Sequence, residues 1–218
     1  MRGAYAVSWN LSSAEARTGR EGAAMGKGRL EAFSDGVLAI IITIMVLELK
    51  VPHGTELDAL APLMPSFLSY VLSFVYVGIY WNNHHHLLHA TRRVSGGVLW
   101  ANLNLLFWLS LLPFATGWMG ENHFAPLPSA AYGLVLLMAA IAYYLLQQCI
   151  ISVDGADSIV KRAVGADWKG KASPLCYLAA IGVSFAYHWI AQTIYVAVAL
   201  IWLVPDRRIE KIVAHRED

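Results

Sequence analysis

Charge is scarce in this 218-residue chain: Asp, Glu, Lys and Arg make up 14% of it, against 57% hydrophobic residues. A water-soluble domain of that composition would leave large apolar patches in solvent, so lipid is the medium the composition asks for. Cysteine is nearly missing as well. Cys149 and Cys176 are the only two, each in an apolar context, which excludes a disulfide framework and a cysteine-based metal site. Residues 1–28 lack the sustained apolar run that forms the core of a signal peptide; they are rich in Gly, Ala, Ser, Arg and Glu and are expected to be disordered, with Met25 a candidate for the natural start. From Phe33 onward no polar block is large enough to fold separately. One membrane domain is therefore expected over 29–205, between the extension 1–28 and a tail 206–218, and no nucleic-acid partner is expected.

What is present is a series of long apolar runs. The first span is expected from about Phe33 to Leu49, closed by Pro52-His53-Gly54; the second from Leu60 to Leu88, ending in the polar run Trp81-Asn82-Asn83-His84-His85-His86. A third runs from Val98 to Trp118 around Pro113, and a fourth from Ser129 to Ile151. Pro174 to Val204 is too long for one span and just long enough for two, with a turn expected near His188 to Gln192. The basic residues test this count independently of hydropathy. Of sixteen Lys and Arg residues, all but Lys50 precede span one or follow spans two, four and six. Basic residues favour the cytoplasmic side, so six spans with both termini in the cytoplasm satisfy the pattern.

Polar residues near span one carry the first chemistry, in Arg29-Leu30-Glu31-Ala32-Phe33-Ser34-Asp35-Gly36. Ser34 or Asp35 as a helix N-cap is the simplest explanation of a polar residue there. Arg29-x-x-x-Phe33-Ser34-Asp35-Gly36, followed by Val37 to Thr43, resembles the signature that opens the first helix of the transmembrane protein 175 family, the lysosomal and prokaryotic potassium channels. The resemblance continues in Tyr80-Trp81-Asn82-Asn83-His84-His85, in Leu99 to Phe107 with Pro113-Phe114, and in Trp202 to Arg208. It implies an all-α, six-helix subunit of a homotetramer, with potassium as the permeant ion, no other cofactor and no enzymatic activity, and a central pore lined by the first helix.

Ile40, Thr43, Ile44 and Leu47 share one face of that helix at spacings i, i+3, i+4 and i+7, while Leu38 lies on a different face. Periodicity alone fits a plain packing face equally well, with Thr43 bonded to its own i−4 carbonyl. The resemblance assigns the face to the pore, where four copies would make apolar rings that gate by dewetting and one layer of hydroxyls. No Thr-Val-Gly-Tyr-Gly stretch occurs, so a carbonyl-cage filter of that kind is excluded. Nor does any span carry an arginine ladder, which excludes the usual voltage sensor.

His84, His85, His86 and His89 invite a metal reading, since His85 and His89 are four apart, yet a membrane metalloenzyme needs histidines converging from other helices. His53, His123, His188 and His215 are isolated in sequence. The alternative is a structural polar network of Arg29, Phe33, Ser34, Asp35, Trp81, His84, His85 and Asn104 at one end of the bundle, because intramembrane polar groups need partners. Gln147 and Gln148 read as interfacial polar residues. A secondary transporter is the competing function, although span one has none of the midplane breaks common in transporters.

Overall fold

A computed structural model describes residues 26–155, 158–164 and 168–203, and every regular element among them is helical. The residues from 1 to 25 and from 204 to 218, with most of the expected extension and the whole tail, lie outside the described residues. Helix α1 runs Gly26–Leu47. It starts two turns ahead of the expected Phe33, because its first turns are amphipathic rather than apolar: Leu30 is buried, and Lys27 Nζ donates to the carbonyl of His89 at 2.7 Å. Hydropathy misses a helical turn whose polar side is tied down by partners.

A 3₁₀ helix, Leu57–Leu63, leads into α2, Met64–Ala90, with Pro65 in its first turn where the missing N–H is no loss. Span three is broken into α3, Gly96–Ser110, and α4, Leu112–Glu121. The break at Leu111 follows from Pro113, which has no N–H to offer the Leu109 carbonyl and whose ring crowds it. Ser95 caps α3, its Oγ accepting from the Val98 N–H at 3.3 Å. Helix α5, Pro126–Asp154, follows a tight turn in which His123 and Phe124 both have positive φ, and it ends at Gly155, φ 71°.

After the short α6, Ile159–Val164, come α7, Trp168–Ser184, and α8, His188–Leu203. The turn between them lies at Phe185 to Tyr187, ahead of the expected His188 to Gln192. Gln192 had the look of a loop residue, but it is buried inside α8 and donates to Ser129 Oγ on α5 at 2.8 Å.

Helix α5 forms the centre, packing on α3, α4 and α7, while α7 pairs with α8. Where lipid rather than water surrounds a bundle, close packing and interhelical hydrogen bonds hold helices together. The core follows that rule. Tyr76 Oη donates to the Tyr195 carbonyl at 2.7 Å, Tyr195 Oη to the Ser129 carbonyl at 3.0 Å, and Ser73 joins Thr116 at 2.7 Å and Tyr132 at 3.1 Å. Four helical stretches, Gly26–Leu47, Leu57–Ala90, Gly96–Glu121 and Pro126–Asp154, are long and apolar enough to cross a membrane; α7 and α8 are shorter. Contacts define the two ends of the bundle. Lys27 meets His89, the Arg92 N–H reaches Asp154 Oδ2 at 3.5 Å and Lys169 Nζ donates to the Ile201 carbonyl at one end, whereas Lys50 pairs with Glu121 at 2.8 Å at the other.

Candidate pore helix and its polar anchor

Helix α1 has two unlike faces. Leu30, Ser34, Leu38, Ile41 and Met45, spaced by three and four, are buried against the subunit. The opposite stripe is left bare: Ile40 is 58% exposed and Leu47 80%, with Ile44 and Thr43 exposed beside them. All four residues of the expected pore face therefore stand together on the exposed side of the helix. Leu38 is 1% exposed, so it belongs to the packing core and its substitution would report folding rather than a second exposed face. Thr43 Oγ1 donates to the Ile40 carbonyl, three residues back rather than four, at 2.9 Å. With its proton committed to the backbone, the hydroxyl has lone pairs left to offer outward.

The polar network forms, with partly different members. His84 Nε2 meets Asn102 Oδ1 at 2.6 Å, Asn102 Nδ2 donates to Ser34 Oγ at 2.9 Å, and Ser34 Oγ donates to the Leu30 carbonyl at 2.8 Å. The chain of donors runs one way, from the ring of α2 through the amide of α3 to the backbone of α1, and it makes His84 Nε2 the protonated nitrogen. Ser34, His84 and Asn102 are all buried. A second layer is more exposed: Trp81 Nε1 donates to Asp35 Oδ1 at 3.0 Å, and His85 Nδ1 meets Glu31 Oε1 at 3.1 Å. His85 also stacks between Trp81 and His89, each at 6.2 Å between ring centroids. Neither Ser34 nor Asp35 is an N-cap, since both lie inside α1.

Three residues expected in the network stand apart from it. Asn104 is half-buried and makes no hydrogen bond to another described residue; Asn102, two positions earlier and so on another face of α3, takes its place. Arg29 and Phe33 are exposed, and each lies seven residues before its counterpart, Gly36 and Ile40, so they continue the bare stripe. Glu31 and Lys27 were missed because charged residues ahead of an apolar run read as flank. Among the described residues no three His, Cys, Asp or Glu side chains converge as a metal site would require.

The sequence model described as "Endosomal/lysosomal potassium channel TMEM175" matches residues 29–113, which take in nearly all of α1, the whole of α2 and α3 and the Pro113 break. A protein named potassium channel from Chryseobacterium sp. (strain P1-3) is 58% identical over 187 residues, covering 86% of this chain and 97% of that one. The chain belongs to the TMEM175 family. The crystal structure of a lysosomal potassium-selective channel TMEM175 homolog from Chamaesiphon minutus superposes with a TM-score of 0.71 at 29% identity, over 84% of this chain and 98% of that one. A Gallus gallus protein named endosomal/lysosomal proton channel TMEM175 is 35% identical over 103 residues, which are 42% of this chain and only 21% of that one. Family membership and the four long apolar helices together make this TMEM175 chain an integral membrane protein, and the bare stripe and polar anchor both fall in the stretch that the family model matches.

Proposed function

We propose that the chain is one subunit of a homotetrameric, potassium-permeable cation channel whose α1 helices line a central pore, with Ile40 as the apolar constriction and Thr43, Ile44 and Leu47 beyond it. The single observation that supports this reading most is the bare face of α1: over Val37 to Leu47, where Thr43 is the one polar residue, the helix turns one stripe into its own subunit and leaves the other, Ile40 to Leu47, exposed. The names of the Chryseobacterium and Chamaesiphon relatives point the same way. In the same reading α7 and α8 complete six spans, residues 29–205 form the channel domain, and both termini with fifteen of the sixteen basic side chains face the cytoplasm of a prokaryotic cell. The network of Ser34, Asp35, Trp81, His84, His85 and Asn102 then acts as an anchor that sets the tilt of α1 and has no contact with permeant ions.

An apolar ring of small radius excludes water, and ions then pass only when it wets or when hydroxyls replace part of their hydration shell. The test is reconstitution in liposomes under a potassium gradient, with reversal potential followed as sodium replaces potassium and as pH is stepped. A potential that tracks potassium supports the reading; one that tracks only the proton gradient, as the name of the Gallus relative suggests for that protein, sinks its choice of ion. Current steps from single molecules separate a channel from a transporter.

A further inference from the structure

At the basic end of the bundle a cavity opens between α2, α5, α7 and α8, and no described residue of α1 lines it. Much of its wall is apolar, made by Ile79, Ala140 and the faces of tyrosine rings. Into it face two polar groups with no hydrogen bond to any described residue, the amide of Gln147 and the hydroxyl of Tyr80. Gln147, expected as an interfacial polar residue, is 6% exposed and so turned into the subunit. The residue is enclosed but its amide opens onto the cavity rather than being sealed in protein, so a ligand or water held there can complete its hydrogen bonds. Lys171, in the first turn of α7, is the one charged residue in the lining; it is exposed, no carboxylate shares the wall, and it makes no ion pair with a described residue.

We propose that this cavity binds an anionic phospholipid from the leaflet at that end of the bundle. Lys171 meets the phosphate, Gln147 and Tyr80 hydrogen-bond the glycerol and ester oxygens, and an acyl chain lies along Ile79 and Ala140. Basic pockets between helices at the cytoplasmic surface recognise lipid head groups by this combination of charge and depth. That the leaflet is the cytoplasmic one rests on the six-span orientation proposed above. A free phosphate satisfies Lys171 but leaves the apolar wall empty, which is why a lipid is the better fit.

The test uses the full chain, purified in detergent, stripped of lipid and titrated with phosphatidylglycerol, phosphatidylcholine or inorganic phosphate, with bound lipid counted by native mass spectrometry. Phosphatidylglycerol should bind more tightly than phosphatidylcholine. Lys171→Gln should weaken phosphatidylglycerol about fivefold, as expected for loss of one basic side chain near the membrane surface, and leave phosphatidylcholine unchanged. Gln147→Leu should weaken both lipids. Equal affinity for the two lipids, an unchanged Lys171→Gln, or displacement of phosphatidylglycerol by inorganic phosphate would each overturn the proposal. Lys171 is exposed, so its variant remains informative even if Gln147→Leu does not fold. The readout is binding rather than current, so this outcome and that of the pore reading are independent.

Discussion

Helices α1 and α5 are almost equally apolar, yet 28% of the most apolar window of α1 is buried within the subunit against 44% for α5. Apolarity reports the solvent a helix needs; burial reports the neighbours it has. Their glycines show the same difference. A Cβ at Gly133 of α5 would collide with the Tyr195 ring and Ile181, whereas one at Gly36 of α1 would meet open space. Gly133→Ala should therefore lower the thermal stability of the detergent-solubilised subunit by about 1–3 kcal/mol, the usual cost of overpacking. Gly36→Ala should cost the subunit nothing and can gain up to about 1 kcal/mol of helix propensity. If Gly36→Ala instead disperses an assembly of intact subunits, the bare stripe is covered by another copy; a neutral Gly133→Ala would mean that α5 and α8 do not pack as described.

One end of α1 is tied to α2 and α3 by buried hydrogen bonds, and the contrast sharpens there. Asn102→Ala strips partners from both His84 and Ser34 in a buried site, at roughly 1–3 kcal/mol. Asn104→Ala, two residues along the same helix, should stay within about 0.5 kcal/mol. Chemical denaturation of the two variants side by side decides between them, and equal losses would return Asn104 to the anchor.

Much of this arrangement was legible in the chain. Apolar runs and the alternation of basic residues gave four of the long helical stretches, and the spacing of Ile40, Thr43, Ile44 and Leu47 gave their common face. What stayed hidden was partner choice. Hydropathy could not tell Asn102 from Asn104, because both are lone amides in an apolar run and only the rotation of α3 against α1 decides which one turns inward. Gln192 misled in the same way: a polar residue in an apolar stretch reads as a turn, yet it lies inside α8, bonded to Ser129. The start of α1 was set by tertiary contacts of Lys27 and Leu30, which carry no signal in a hydropathy window.

The proposed pore face can be broken by moving one polar atom around α1. Ile40→Asn keeps an apolar ring wetted, and lowering the barrier by about 1.4 kcal/mol raises the current about tenfold. Val46 is the proper control in place of buried Leu38: it is exposed, on the same helix, and about 120° around from Ile40 at 100° per residue. Val46→Asn should leave the current of reconstituted protein near that of the parent. Similar currents from the two variants would show that α1 is a packing helix and that the pore lies elsewhere.

The smallest effect is expected at Thr43, and it is the most specific. Its hydroxyl is exposed and already donates to the Ile40 carbonyl, so removing it leaves no buried group unpaired, and alanine is the better helix former. Folding and assembly should therefore survive Thr43→Ala unchanged. In the proposed tetrameric pore, what disappears is a ring of oxygen lone pairs one turn from Ile40. A neutral ligand of this kind contributes about 0.5–1.5 kcal/mol net, so the preference for potassium over sodium should fall about two- to tenfold in reversal-potential measurements. Conductance should change less than selectivity, because the apolar ring at Ile40 is untouched. Thr43→Ser restores the oxygen on the same backbone bond and should restore the preference with it. If both variants keep the parent's ion preference while Ile40→Asn alters the current, the hydroxyl serves its own helix alone and discrimination between cations is made by another layer of the pore.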